Sequence, residues 1–390
     1  MKNKGIQLGP VLVISLLFIG VIFVTGAEAS RADYSVENFY LDEDMACNYA
    51  MKYLNEFAID ETPGLKDWNS AKLQKDPITV YDINGKKLFY TYTVTKDGKA
   101  IGEMEMGASK VLGRLLNRII VTEPLDRDSM KQKAIEIAEK KYPGWEIRSA
   151  ESVCYSYPKE GVMLTLVRPR TEKEKTVIID TYTSSEVPLR QPKNEGDSGV
   201  WSLYDEIPVE KRVGMIENWN ENRRKITTKR TSTMDISPKY ITIMSSKKTL
   251  DVPFHFQEES NWCAAATGQM IAEYYGYTHT QSEVADYMGL DPGTGDGATP
   301  DDQINYYWNG IGKYGSKEYE AKFSDAKKEI DADRPLKSGV DGHARCAVGY
   351  SDSSCLPCLL IYDPWPEDIG LKYWEVYWGR KHTKDIHVED

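Results

Sequence analysis

Histidine is scarce in this chain, with five among 390 residues. Any base that serves a nucleophile must come from that short set, so each candidate can be checked in turn. Excess positive charge is missing too. Lys and Arg total 49, Asp and Glu 60, and the net charge is −11. With no overall basic field, composition argues against a nucleic-acid partner. Beyond the first few dozen residues no run is apolar enough to span a bilayer. A disordered composition is excluded as well, because aromatics are plentiful, tyrosine above all. The length suits two domains and a core that closes without help.

The N-terminus carries Lys2 and Lys4, an apolar run over about 10–24, and then Gly26-Ala27-Glu28-Ala29. A basic start, an apolar core and a small-x-small site make a secretory signal peptide, with cleavage expected after Ala29. The run is short for a membrane span, and an uncleaved N-terminal anchor is the alternative. The protein is expected to be secreted or at the cell surface. Export invites disulfides. Cys47 can bridge to Cys154, and Cys346, Cys355 and Cys358 lie close enough in sequence for one pair.

Residues 30–190 read as an α+β region. Ala46, Tyr49, Ala50, Tyr53, Leu54 and Phe57 share one face of a helix over 42–57. Strands follow at 78–81 and 88–94, with a tight Asn84-Gly85 turn between them, and then at 100–106. Asp128 is placed to cap a second helix, and strands at 147–157, 161–167 and 176–182 come after it. The pattern is two helix-then-antiparallel-strand units, about 35–125 and 126–190. It carries no chemical motif. An inhibitory or fold-assisting pro-region and a passive spacer both fit. Residues 191–247 read as a linker. It opens with the breaker-rich Pro192, Gly196 and Gly199, then a charged helix over about 207–224, then a basic, Thr-rich stretch over 223–233. That stretch is either a solvated tether or a processing site.

Chemistry concentrates in residues 248–390, after an extended segment at 250–254. Residues 257–276 read as a loop entering a helix, with Cys263 near its start and Gly276 as its stop. Unpaired N–H groups and the positive dipole end at a helix N-terminus favour a thiolate. Further helices are expected at 281–288, opened by the Thr280/Glu283 capping box, at 300–308 and at 324–332. Strands are expected at 343–350, 359–363 and about 371–378. His343 opens the first strand and Asp363 closes the second. If these two strands are neighbours, Asp363 reaches the imidazole and leaves its other nitrogen for Cys263. Gln257, six residues before Cys263, can supply an amide to an oxyanion hole. Cys355, Cys358, His382 and His387 share a zinc-ligand vocabulary, but the gap between the pairs exceeds finger spacing. No metal or cofactor is expected. His255 and His279 read as surface residues without partners.

Taken together, Gln257, Trp262-Cys263, Gly342-His343-Ala344, Gly349-Tyr350 and Asp363-Pro364 resemble papain-like cysteine peptidases. The match is to the compact group that includes double-glycine leader (bacteriocin-processing) peptidases, and it covers roughly the last 145 residues. The resemblance implies an α+β fold with helices first and an antiparallel sheet last. It implies an exported cysteine peptidase with a Cys263-His343-Asp363 triad, a thioester intermediate and a peptide or protein substrate. A catalytically silent binding protein on the same fold, or an acyl transferase, remains open.

Overall fold

The computed structural model describes residues 34–59, 62–65, 68–232, 246–352, 356–378 and 382–389. Residues 1–33, where a signal peptide is expected, Cys355 and residues 233–245 lie outside the described residues.

The N-terminal region runs α1 (Glu43–Ile59), β1 (Lys72–Leu73), β2 (Ile78–Asp82), β3 (Lys87–Lys96), β4 (Lys99–Gly107), β5 (Leu116–Ile120), α2 (Arg127–Lys141), β6 (Glu146–Ser156), β7 (Lys159–Arg168), β8 (Lys173–Asp180) and β9 (Ser185–Glu186). α1 buries Ala46, Ala50, Tyr53, Leu54 and Phe57, the face its periodicity marks. Asp126, not Asp128, caps α2, accepting the Ser129 N–H. The expected units are both present. They join because β2 and β6 pair in parallel, Tyr81 opposite Val153.

α3 (Val209–Ser232) follows and extends well past its expected end, into the basic, Thr-rich stretch. Next come β10 (Ser246–Thr249), α4 (Cys263–Tyr274), α5 (Gln281–Met288), α6 (Pro300–Ile311), β11 (Tyr314–Tyr319), α7 (Phe323–Asp331), β12 (Leu336–Val340), β13 (His343–Asp352), β14 (Pro357–Asp363), β15 (Leu371–Val376) and β16 (Lys384–Glu389). The expected strand at 250–254 is not one; the pairing lies just before it, in β10. Capping boxes open α5 and α6, and Gly276 takes φ +86° just past α4. Helices come first with two exceptions, since β10 precedes α4 and β11 lies between α6 and α7.

One sheet runs through both regions. Its centre is the antiparallel pairing of β15 with β5, with Tyr373 opposite Ile120 and Trp374 opposite Ile119. β5 is invisible to a period-2 reading, because all five of its residues are buried, Asn117 and Arg118 included. Arg118 is held there by Glu105 at 3.0 Å and Glu160 at 2.9 Å. Buried charges persist only when paired in this way.

Among the described residues none of the expected disulfides is present. Cys47, Cys154, Cys346 and Cys358 are all buried. Cys47 and Cys154 belong to separate core clusters. Cys346 stands opposite Tyr362, and Cys358 opposite Ser351, so the two lie at different heights on β13 and β14.

Candidate active site

Residues 257–263 form the floor of the site. The Gln257 N–H donates to the Pro364 carbonyl at 2.9 Å, which ties the loop before α4 to the chain just past Asp363. Buried Gln281 braces the same loop, accepting the Glu258 N–H and donating to the Phe256 carbonyl. Buried Asn261 reaches the facing loop, donating to the carbonyls of Asp291 and Asp296 and accepting the Gly293 N–H. α4 then starts at Cys263, with Trp262 as a cap that offers no side-chain bond. The first N–H groups of α4 therefore have no helical acceptor.

His343 and Asp363 sit on neighbouring strands, as expected. The His343 Nε2 meets the Asp363 Oδ1 at 2.6 Å. The same carboxylate accepts the Trp365 N–H at 2.9 Å and the Tyr373 hydroxyl at 2.8 Å. A carboxylate on Nε2 fixes the proton there and leaves Nδ1 as the bare nitrogen. Nδ1 has no hydrogen-bond partner among the described residues. The Cys263 Sγ accepts the N–H of Ala344, the residue after His343, at 3.4 Å. The sulfur thus bonds the backbone beside the ring that Asp363 orients, while no hydrogen bond joins the Cys263 Sγ to the His343 Nδ1.

Gln257 behaves differently. Its Nε2 donates to the carbonyls of Glu259 and Ser260 at 3.0 and 3.1 Å. Both amide hydrogens are committed to the loop, so in this conformation Gln257 shapes the floor and offers no free donor to an oxyanion.

Cys263, His343 and Asp363 are each 0% exposed. Burial pushes the Cys263 thiol up to about 11, against the opposing pull of the Lys159 ammonium and the Ala344 N–H. Burial also pushes the His343 imidazole down to about 4, despite Asp363. It would raise Asp363 too, but the His343 ring, the Arg345 guanidinium and the Trp365 N–H hold that carboxyl below its ordinary value. The pair is therefore a neutral thiol beside a neutral imidazole. The thiolate expected from the helix N-terminus is outweighed by the exclusion of water.

What excludes water is the start of the expected linker. Polar and breaker-rich, it reads as a domain boundary, yet Glu195, Gly196 and Gly199 are buried. Glu195 exchanges backbone hydrogen bonds with Ala298, ahead of α6, at 3.2 and 2.8 Å. The Gly196 N–H donates to the carbonyl of Gly342, beside His343, at 3.1 Å. Asp197 accepts the Gly297 N–H at 2.7 Å. The Trp201 indole donates to the Asp341 carbonyl, and buried Lys159 on β7 donates to the Gly342 carbonyl. A cavity of about 150 Å³ remains beside this segment, with Lys159, Asp197, Gln257 and Trp365 among its walls. Sequence reasoning missed Lys159, Glu195, Asn261 and Lys337, because none belongs to a motif.

The other histidines have local partners. His255 bonds Glu273, and His279 bonds the Tyr306 hydroxyl at 3.0 Å. His382 contacts the Ser338 hydroxyl and stacks on Tyr377, whereas His387 lies near Glu318. No group of three or more His, Cys, Asp or Glu is arranged to hold a metal among the described residues. No helix among them is long and apolar enough to cross a membrane.

No curated protein matches the chain. Among solved structures, a putative C39-like peptidase from Bacillus anthracis is 14% identical, with 37% of this chain and 98% of that one covered and a TM-score of 0.30. UfSP from C. elegans is also 14% identical, covering 41% of this chain and 36% of its own, with a TM-score of 0.30. A structure concerning antibody cross-reactivity between the mite allergens Blo t 1 and Der p 1 is 12% identical, covering 42% and 77%, with a TM-score of 0.29. Overlaps this small fix neither fold nor chemistry. Residues 249–385 match the model of the Peptidase_C39 like family, and this C-terminal part of the chain is similar to the papain-like, C39-like peptidases.

Proposed function

We propose that this protein is a cysteine peptidase, with Cys263 as nucleophile, His343 as its base and Asp363 orienting the imidazole. One observation carries the reading: Asp363 holds Nε2 and leaves Nδ1 bare, while the Cys263 sulfur rests on the amide next in sequence to that ring. The thiol proton passes to Nδ1 and the sulfur attacks a peptide carbonyl. The oxyanion meets the Cys263 N–H at the head of α4. His343 returns the proton to the departing amine as the C–N bond breaks, and water then hydrolyses the thioester. Gln257 becomes a second oxyanion donor only if its amide lets go of Glu259 and Ser260.

The N-terminal pattern supports export, with a mature chain starting at Ser30. N-terminal sequencing of the secreted species tests this: a start elsewhere refutes the cleavage site. The proposed arrangement is a 30–190 pro-region-like domain, a 191–247 connection and a 248–390 peptidase domain.

The activity test is cleavage of an unfolded protein by the full chain carrying Glu195→Ala, which unseats the covering segment, with and without Cys263→Ala. The expected loss on removing the thiol is about 10³-fold or more. Equal, negligible turnover in both ends the peptidase reading. A second reading, a silent binding protein, draws on the zero exposure of all three groups. A thiol-reactive epoxide separates the two: labelling of Cys263 in the Glu195→Ala chain supports the enzyme, and none supports the binder.

A further inference from the structure

The segment over the site does more than cover it. The Glu195 side chain runs into the interior, and its carboxylate meets the Lys337 ammonium of β12 at 2.7 Å and the Gln303 amide of α6 at 2.6 Å. All three side chains are buried, at 1% exposure or less. Lys337 also donates to the Lys384 carbonyl, so its position is fixed from a second side. Gly339 makes room: a Cβ there would lie 2.3 Å from the Glu195 carboxylate. Gly297 makes room for the backbone in the same way, since a Cβ there would lie 2.3 Å from the Glu195 carbonyl oxygen. The slot is therefore built to the shape and charge of a glutamate side chain.

The next position is equally restrictive. Gly196 has φ +105°, and a Cβ on it would stand 2.3 Å from the Asn261 carbonyl oxygen, which belongs to backbone that cannot easily yield. Its N–H is taken by the residue that precedes His343. Glu195 meanwhile pairs with the opposite wall as one strand residue pairs with another. The two walls thus hold Glu195 and Gly196 by their backbone, and one interior cation and one amide read the side chain. After Gly196 the chain turns back, with the Asp197 N–H on the Asn194 carbonyl at 3.2 Å.

We propose that Lys337 and Gln303 form a carboxylate-reading subsite of this cleft. Glu195 fills it in cis and closes the site. The peptides the cleft accepts in trans carry glutamate followed by glycine. The substrate class rests on the peptidase reading above; the subsite itself does not, and the experiment separates them.

The first arm measures alkylation of Cys263 by iodoacetamide in the full chain, followed by mass spectrometry. Glu195→Ala and, independently, Gly297→Ala each raise the rate at least tenfold over the unmodified chain. Gly297→Ala removes no charged side chain, so it guards against a folding failure of the first variant. No increase in either overturns the closure. The second arm uses the full chain with Glu195→Ala and Cys263→Ala. A fluorescein-labelled peptide, Pro-Lys-Asn-Glu-Gly-Asp-Ser-Gly, is titrated by anisotropy at up to about 5 mM, because a tethered segment competes at millimolar effective concentration. Replacing Glu by Gln, or Gly by Ala, weakens binding at least tenfold, and adding Lys337→Met to the protein abolishes the Glu/Gln difference. Equal binding of the three peptides, or a preference unmoved by Lys337→Met, overturns the subsite. A peptide that binds with the expected preference but is not cleaved by the Glu195→Ala chain refutes the peptidase reading and leaves the subsite standing.

Discussion

Lys337→Met is the sharpest probe of the interior. It leaves the Glu195 carboxylate at 1% exposure with only the Gln303 amide as donor. Removing one partner of a buried pair costs about 3–5 kcal/mol, because the survivor stays desolvated. Replacing both partners with groups that need no charge costs far less. Glu195→Gln combined with Lys337→Met should therefore recover about 2 kcal/mol or more of the loss. The segment can also escape by leaving the cleft, so the loss in global stability is capped at its undocking free energy. Up to that cap the loss also appears as faster alkylation of Cys263, about tenfold for each 1.4 kcal/mol. Urea denaturation of the two single variants and the double gives the cycle. Losses that simply add, with unchanged Cys263 alkylation throughout, would refute the idea that the two charges depend on one another.

Several further expectations follow from burial and pairing. Burial raises Asp385 to about 7, against the pull of Lys337, and raises Asp82 to about 6. Their native states hold protons that the unfolded chain has released. That stability is complete below about pH 4 and is lost as pH rises through 6 and 7. Asp385→Asn should flatten the decline in urea midpoint between pH 5 and 8; an unchanged slope counts against it. His343, pushed down to about 4, has the opposite sign: its share is complete above about 6.5 and fades as pH falls toward 4. The ring nitrogens should stay neutral by NMR at pH 5.5 in the closed chain. Trp374→Ala, at the β5–β15 junction and with its indole on the Pro63 carbonyl, should cost about 3–5 kcal/mol. Because the sheet is continuous there, calorimetry should find both regions melting together. Two well-separated transitions would contradict that coupling.

Much of the site was legible because its residues sit at element ends that local chemistry marks. Cys263 opens a helix of small residues, His343 follows a glycine turn, and Asp363 precedes a proline. Those local patterns gave the strands that make His343 and Asp363 neighbours. The amide of Gln257 is held by an equally local feature, the two carbonyls of Glu259 and Ser260 in its own loop. His255 and His279 found partners in Glu273 and Tyr306 that no motif announces.

From sequence alone came the order of Cys263, His343 and Asp363, the two helix-and-strand units, and the capped helices. Each depends on contacts within a few residues, or on one face of one element. Only the tertiary structure decided that β5 joins β15, that the thiol is neutral, and that a polar linker lies buried in a cleft with its glutamate on Lys337. Those outcomes depend on partners far away in sequence. A charged side chain reads as solvated until the opposite charge that desolvates with it is in view.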